Sequence, residues 1–181
     1  MYYFNTGGAR RPQLLARRGG LACYTTALAM AEGPPRFAAD RTLARLARWL
    51  RLMGADVICD ESIGGAELMR LARAEGRPIL TRDKRLRTAS DVLFIKSHLF
   101  RDQVREVMER FPFDPHRFAF TRCSRCNEML RRVKRDVVAR RVPPFVYASQ
   151  DEFALCDRCG RVYWDATHMR RASREIDDFM R

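Results

Sequence analysis

The chain has 181 residues, 46% apolar and 31% charged, a composition typical of globular proteins and long enough for one domain with a small module beside it. No apolar run approaches the roughly 20 residues of a membrane span, so an integral membrane protein is not expected. The net charge is +13 and 32 of the 35 basic residues are arginine. Guanidinium groups bind phosphate and stack on bases, so RNA or DNA is the favoured partner. A codon bias would explain the choice of arginine over lysine, but not the excess of basic residues over acidic ones.

Residues 1–33 are rich in Arg, Gly and Ala and show little periodicity. The stretch 21–30 is mildly apolar after a basic start and faintly resembles a signal or transit peptide. Met30 also opens a sensible sequence, MAEGPPRFAAD, so a start assigned too far upstream explains the segment at least as well. We expect residues 1–33 to be poorly ordered and assign them no role.

From residue 36 onward, short apolar strands alternate with amphipathic helices. The strands are predicted at RFAAD (36–40), ADVIC (55–59), RPILTR (77–82) and DVLFIKS (91–97), and the helices at RTLARLARWLRLMG (41–54), AELMRLARAEG (66–76) and FRDQVREVMERF (100–111). The helices carry apolar residues at i, i+3, i+4 and i+7, and the first two end at glycine. This alternation predicts an α/β unit over residues 36–112, a parallel sheet flanked by helices, followed by a linker at 112–118.

The last third of the chain carries a cysteine pattern typical of a metal site. Four of the six cysteines form two C-x2-C pairs separated by 29 residues, Cys123 with Cys126 and Cys156 with Cys159. This spacing predicts a closed, tetrahedral four-thiolate site that holds a small fold together. Zinc is the expected metal, and iron in a rubredoxin-like site is the alternative. The remaining two cysteines, Cys23 and Cys59, stand alone. This arrangement favours metal binding over disulfides and indicates a reducing, cytoplasmic setting.

The residues that follow the two cysteine pairs support the same interpretation. A turn of this kind often needs a positive φ after the second cysteine, and here that residue is Asn127 in one pair and Gly160 in the other. These are the two residue types that tolerate positive φ best.

Two aspartates follow predicted strands, Asp40 after the first and Asp83 after the third. Ligands of open α/β sheets bind outside the carboxyl ends of the strands, and two carboxylates gathered there would be bridged by Mg²⁺ or Mn²⁺. The alternative is structural, because aspartate is a favoured N-cap and Glu67 in a first helical turn complements the helix dipole. Residues alone leave both interpretations open.

The order of motifs resembles one family. FAADRTLARLARWLRLMGADV, AELMRLARAEGRPILTRDKRL, RCSRCNEML, VPP and FALCDRCGRVYWDATH together resemble the Mut-seven C-terminal RNase family. The resemblance covers residues 36–170, most of the chain, and leaves residues 1–33 outside. It implies a PIN-like nuclease domain over 36–112 fused to a small C-terminal zinc ribbon over 119–170, with a structural zinc on the four cysteines.

The resemblance also implies a catalytic site. Asp40 and Asp83 match acidic positions at strand ends and would hold Mg²⁺ or Mn²⁺, Glu67 matches a position that is usually Asp, and Asp60 joins them more weakly. The chain departs from larger PIN enzymes in its compact core and in lacking a clear fourth acid after residue 83. Asp91 precedes a strand and is expected at the opposite edge of the sheet.

The expected activity is therefore metal-dependent hydrolysis of RNA by a cytoplasmic endoribonuclease. The residues expected to contact RNA are Arg41, Arg45, Arg48, Arg82, Arg125 and His168. An alternative with the same fold is a non-catalytic protein that binds RNA or ribosomes, and a rubredoxin-like redox module is a third. No membrane partner is expected, whereas a homodimer and a protein inhibitor are left open.

Overall fold

The computed structural model describes residues 33–60 and 62–180, so the expectations for residues 1–32 lie outside the described part of the chain. The described chain contains a parallel sheet in the order β2-β1-β3-β4 and an antiparallel sheet in the order β5-β6-β7. The strands of the parallel sheet are β1 Arg36–Ala39, β2 Asp56–Ile58, β3 Ile79–Thr81 and β4 Val92–Phe94. Those of the antiparallel sheet are β5 Arg131–Val133, β6 Phe153–Leu155 and β7 Val162–Trp164. The predicted α/β fold with a parallel sheet and a small cysteine-bearing module is confirmed.

Helices connect and cover the strands. They are α1 Ala44–Leu52, α2 Gly65–Ala74, α3 Phe100–Arg110, α4 Arg135–Val138, α5 Pro144–Ser149 and α6 Thr167–Phe179. Short 3₁₀ turns lie at Arg41–Leu43, Lys84–Leu86 and Pro115–Arg117. The first predicted helix is shorter than expected because its first residues form the 3₁₀ turn and the helix stops before Gly54, whose φ is +93°.

Both faces of the parallel sheet are buried, and alternate residues of each strand point to opposite layers. Phe37 of β1 and Leu80 of β3 belong to a core shared with α1, α3 and α6. Ala38 of β1 and Ile79 of β3 belong to the second core, covered by α2. Because β1 and β3 run parallel, the residues that follow them lie at the same edge of the sheet.

The predicted linker is packed closely against the α/β unit. A Cβ atom added at Gly54 would lie 2.3 Å from the Cβ of Phe118, so the segment passes directly over the end of α1. Pro115 is buried, and Phe113 and Phe120 pack on the core next to α1 and α3. The close contact requires glycine at position 54 for its lack of a side chain as well as for its backbone conformation.

The last helix, α6, returns to the parallel sheet after the antiparallel one. Ile176 and Phe179 are buried in the core of the α/β unit, and the ring of Phe179 packs on those of Trp49 and Phe100 at centroid distances of 5.7 Å. The division into units at 36–112 and 119–170 stays a prediction. None of the helices in the described residues has the length and apolar character needed to cross a membrane.

Candidate active site and four-cysteine centre

The order of the parallel strands creates a switch point between β1 and β3. The chain leaves β1 for β2 on one side and later runs from β3 to β4 on the other. At such a point the connections diverge and leave a crevice beyond the carboxyl ends of the two strands. Asp40 directly follows β1 and Asp83 lies two residues after β3, so both aspartates are delivered to this edge.

Asp40 joins the ends of the two strands. Its Oδ2 accepts hydrogen bonds from the hydroxyl of Thr81 and from the backbone N–H of Arg82. Its Oδ1 accepts from the N–H and the hydroxyl of Thr42, at 2.8 and 2.5 Å. The carboxylate therefore caps the 3₁₀ turn, as the structural interpretation predicted, and at the same time ties β1 to β3. Four donors occupy its four lone-pair directions.

Asp83 lies in the same hydrogen-bonded chain but has a different partner. Its N–H donates to the hydroxyl oxygen of Thr81 at 3.0 Å, so this hydroxyl connects Asp40 to Asp83. Its carboxylate accepts from the N–H of Arg85 at 3.0 Å and pairs with the Arg85 guanidinium at 2.6 Å. The hydrogen bonds from Arg85 lower the pKa of Asp83, so the group is ionised at neutral pH. The side chain is about one-third exposed.

The other two predicted acids lie further out on the same edge. Asp60 follows β2 and caps its own loop through the N–H and hydroxyl of Ser62, which lower its pKa. Glu67 lies in the first turn of α2, exposed and 3.8 Å from Arg70. Among the described side chains, the four cysteines alone form a group of three or more metal-ligating residues with ligand atoms within 4.8 Å of one another. The structure therefore places the acids on one edge but does not gather three carboxylates to a shared point.

Two acids of α3 that the sequence analysis did not single out contact the loop after β4. Glu106 of α3 accepts hydrogen bonds from the N–H groups of Lys96 and Ser97 at 2.9 and 2.8 Å. Asp102 accepts from the hydroxyl of Ser97 at 3.0 Å. Both carboxylates bind the loop that ends β4, and they fix its path at the same edge of the sheet. Asp91, as expected, lies before β4 and pairs with Arg73 at 2.6 Å.

The four predicted cysteine ligands come together as one cluster. The sulfur atoms of Cys123, Cys126, Cys156 and Cys159 all lie within 4.8 Å of one another. Cys123 and Cys159 have their sulfurs 3.7 Å apart. A tetrahedral zinc site with Zn–S bonds of about 2.3 Å requires sulfur separations of about 3.8 Å, so the donor set and spacing fit zinc.

The two cysteine turns share the same backbone hydrogen bonds. In the first turn Cys123 N–H donates to the Glu128 carbonyl and Asn127 N–H donates to the Cys123 carbonyl, at 2.8 and 2.9 Å. The second turn repeats this pattern with Cys156 and Gly160. Asn127 and Gly160 have φ of +64° and +70°, so the predicted positive φ after each pair is confirmed. One such turn closes each half of the centre.

Hydrogen bonds favour the thiolate form of Cys123. Burial raises the pKa of this thiol, but the hydroxyl of Tyr163 at 3.1 Å and the N–H of Cys126 at 3.3 Å donate to its sulfur. Their combined effect lowers the pKa from 9.0 to about 7. Zinc binds the thiolate, so these donors prepare Cys123 as a ligand.

A buried arginine connects the cysteine centre to the parallel sheet. The guanidinium of Arg51 on α1 donates to the carbonyls of Val57 and Cys59 at the end of β2. The same group donates to the carbonyls of Ser124 and Arg125, the two residues between the first pair of cysteines, at 3.2 and 2.8 Å. Burial lowers the pKa of Arg51, and the neighbouring thiols favour its charged form.

Asn127 completes this junction along the edge strand β2. Its Oδ1 accepts from the N–H of Val57 at 2.9 Å, and its Nδ2 donates to Asp56 at 2.7 Å. The pKa of Asp56 is raised by burial, but hydrogen bonds from Arg77 and Asn127 and the charges of Arg77 and Arg122 outweigh this and lower it overall. The first cysteine turn thus covers the open edge of β2 and connects the cysteine cluster directly to the parallel sheet.

The arginines predicted to bind RNA occupy different surroundings. Arg41, Arg45 and Arg48 are exposed along the 3₁₀ turn and α1, which start beside Asp40, and the guanidinium of Arg45 lies over the Phe100 ring at 4.4 Å. Arg125 is exposed on the first cysteine turn. The backbone at position 168 belongs to α6, while the side chain of His168 is outside what the structure describes, so its role stays a prediction.

Arg82 has a partner that sequence reasoning missed. Its Nη2 lies 2.6 Å from Nδ1 of His98, which follows β4, while its Nε is buried without a hydrogen-bond partner. His98 gave no local signal beyond following a predicted strand. Thr81 lies inside the predicted strand RPILTR, and a threonine two residues before a strand-end aspartate is the one local signal that points to its role.

Comparisons with known proteins agree with the resemblance seen in the sequence. A family model described as the Mut7-C RNAse domain matches residues 35–176. The matched range contains Asp40, Asp83 and all four clustered cysteines. No curated protein and no solved structure matches the chain significantly.

Proposed function

The chain belongs to the Mut7-C RNAse domain family, and on this basis we propose that it is a Mg²⁺- or Mn²⁺-dependent endoribonuclease with a structural zinc on its four cysteines. The single observation that carries the proposal is the meeting of Asp40, Thr81 and Asp83 at the switch point of the parallel sheet. This crevice is where open α/β sheets bind ligands. The proposed setting is the cytoplasm, in keeping with reduced cysteines.

The donor chemistry at the switch point suits a hard cation. Asp40 and Asp83 would hold it, since carboxylate oxygens are preferred ligands of Mg²⁺ and Mn²⁺. Asp40 would exchange a threonine hydroxyl for the cation, because all four of its lone pairs are otherwise occupied. When bound, the cation would lower the pKa of a bound water and offset charge on the scissile phosphate.

The chain's own residues would orient this site in three ways. The Thr81 hydroxyl hydrogen-bonds to the Asp40 carboxylate and to the backbone N–H of Asp83, and so holds these two groups close together. Arg85 holds the Asp83 carboxylate and would release it towards the cation. Asp60 and Glu67, on the β2 loop and the first turn of α2, are proposed to act through water from the outer part of the same edge.

Exposed arginines are proposed to hold the RNA backbone. Arg41, Arg45 and Arg48 are open to solvent along the 3₁₀ turn and α1, which start beside Asp40. Arg82 would contribute its unpaired Nε once a phosphate approaches the edge. Arg125 and His168 are proposed to extend this surface over the cysteine module. Because such contacts are electrostatic, binding should weaken steeply with added salt.

The test compares two aspartates that perform the same local task. Asp83 and Asp114 each cap a 3₁₀ turn, accepting from a backbone N–H at 3.0 and 2.9 Å. Asparagine is as good an N-cap as aspartate, so both Asp→Asn changes should preserve the fold. We expect Asp83→Asn to lower Mn²⁺-dependent cleavage of single-stranded RNA by about 100-fold or more, and Asp114→Asn to leave it unchanged. Equal activity of the two variants would contradict a role of Asp83 in cleavage.

The second candidate function is RNA or ribosome binding without cleavage. One observation favours it, namely that three carboxylates do not converge among the described side chains. This candidate predicts tight, salt-sensitive RNA binding by the wild-type protein and no product with Mn²⁺ at any concentration. RNA binding by Asp83→Asn would then equal that of the wild type.

A further inference from the structure

A cavity lined by aromatic side chains lies between the antiparallel sheet and α6, and none of the acids proposed for catalysis lines it. It has a volume of about 480 Å³, and its wall includes Phe120, Tyr163 and Trp164. Ligand pockets in proteins span about 300–1,000 Å³ and combine apolar walls with a few polar groups. This cavity is therefore large enough for a small planar ligand.

The rim of the cavity supplies polar and charged groups. Arg170 of α6 and Asp165 after β7 both line it, and their side chains pair at 3.0 Å. Arg171 and Arg174 are exposed on the same helix. Glu152 is a second acid in the lining, so Arg170 is the one lining residue that carries positive charge. An apolar wall beside Arg170 and the further exposed arginines of α6 is complementary to a nucleotide, whose phosphate is anionic and whose base is flat and largely apolar on its faces.

The backbone of one wall residue is strained. Phe120 has a φ of +61°, a conformation that is uncommon for an aromatic residue. It is held there by a hydrogen bond from its N–H to the Leu52 carbonyl at 2.8 Å. In this conformation Phe120 both packs on the core and lines the cavity, and backbone strain of this kind clusters at ligand sites.

We propose that this cavity is a subsite that receives one unpaired base of an RNA strand, stacked on its aromatic wall while arginines of α6 contact the flanking phosphates. The inference rests on the proposed function, since it takes RNA as the partner. The proposal explains why basic residues are also found on α6, outside the proposed catalytic edge. It gives the antiparallel sheet and α6 a role in holding the RNA strand. Single-stranded rather than duplex RNA is the ligand, because a paired base is not free to enter.

The test uses Trp164 as a reporter inside the cavity. The chain has two tryptophans, and Trp49 packs elsewhere on Phe100 and Phe179, so a Trp49→Phe protein reports from Trp164 alone. The zinc-loaded protein is titrated without added Mg²⁺ or Mn²⁺, first with octauridylate and then with an abasic oligomer of the same length and charge. We expect octauridylate to quench the fluorescence and to bind about tenfold more tightly than the abasic strand.

The outcomes separate the two proposals. Equal binding of both oligomers with unchanged fluorescence would overturn the base subsite while leaving RNA binding by the protein intact. Failure of both oligomers to bind would overturn the subsite and the RNA partner together. Quenching with a clear preference for the strand that carries bases supports both.

A pair of variants checks the aromatic wall itself. Phe120→Asn removes a ring while keeping a residue that tolerates positive φ, and Phe145→Asn removes a ring that is 79% exposed on α5 and does not line the cavity. We expect the preference for octauridylate over the abasic oligomer to fall by about threefold or more in Phe120→Asn and to stay unchanged in Phe145→Asn. An unchanged preference in both variants would contradict the proposal.

Discussion

Replacing Arg51 by methionine tests whether the cysteine centre and the sheet are one mechanical unit. The guanidinium makes five hydrogen bonds to four carbonyl oxygens, two at the end of β2 and two in the first cysteine turn. Methionine fills similar space without donating, so these carbonyls lose a partner. The change therefore cuts the junction while leaving the apolar core nearly intact.

The expected loss follows from two opposing contributions. Hydrogen bonds to a charged group stabilise the fold by about 1.5–3 kcal/mol each. Removing the buried charge has the opposite effect, because the folded protein no longer bears its desolvation penalty of several kcal/mol. We expect Arg51→Met to lower the free energy of unfolding by about 3 kcal/mol, equivalent to a Tm lower by about 6–12 °C for a chain of this size. Zinc should also leave the protein faster, because the carbonyls between Cys123 and Cys126 lose their anchor.

The assay combines urea unfolding of the zinc-loaded protein with the rate of zinc transfer to a chelator. Arg48→Met is the matched control, since Arg48 lies one turn earlier on α1 and is exposed. The control should stay within about 0.5 kcal/mol of the wild type. If Arg51→Met is as stable as the control and releases zinc at the wild-type rate, the junction does not couple the two parts.

Three further changes probe the same junction and the strand ends. Asn127→Gly keeps the positive φ but removes both side-chain bonds to β2, so the N–H of Val57 should exchange with solvent at least about tenfold faster, and unchanged exchange would contradict the contact. Asp56→Asn should cost about 2 kcal/mol at pH 7. Because the folded-state pKa of Asp56 is lowered, this difference should be full above about pH 3.9 and decrease as the pH falls from there through the folded-state pKa, and a difference that stays constant from pH 7 to pH 2 in urea unfolding would refute the ionic contribution. Gly54→Ala would place a methyl group 2.3 Å from the Phe118 side chain at a φ of +93°, so thermal unfolding should show a loss of about 3 kcal/mol, and a change within about 0.5 kcal/mol would contradict the close packing.

Local patterns in the sequence predicted the elements and the cysteine centre well. The i, i+3, i+4 spacing around Leu46 and Leu50 identified the apolar face of α1, and two C-x2-C pairs identified the thiolate cluster. The helical spacing is a pattern of a few neighbouring residues, and the C-x2-C spacing is set by the geometry of metal binding. Both can therefore be recognised without knowledge of the fold.

The junction could not be predicted because its partners are distant in sequence. Arg51 lies among other arginines of α1, yet its carbonyl acceptors at Ser124 and Arg125 are 73 and 74 residues away. Neither the charge nor the helical period distinguishes it from exposed Arg48. Sequence spacing also placed Asp40 and Asp83 at strand ends but could not show that Thr81 lies between them, since this depends on which strands are neighbours.

The chemistry of the RNA product tests the proposed ribonuclease most directly. Zinc-loaded wild-type protein is incubated with a labelled single-stranded RNA, with and without Mn²⁺, and the new ends are identified. If Asp40 and Asp83 hold the cation, which would supply a water nucleophile, cleavage should be internal, require Mn²⁺ and leave no 2′,3′-cyclic phosphate. Intact RNA at saturating Mn²⁺, or cyclic-phosphate ends that form equally well without the cation, would contradict it.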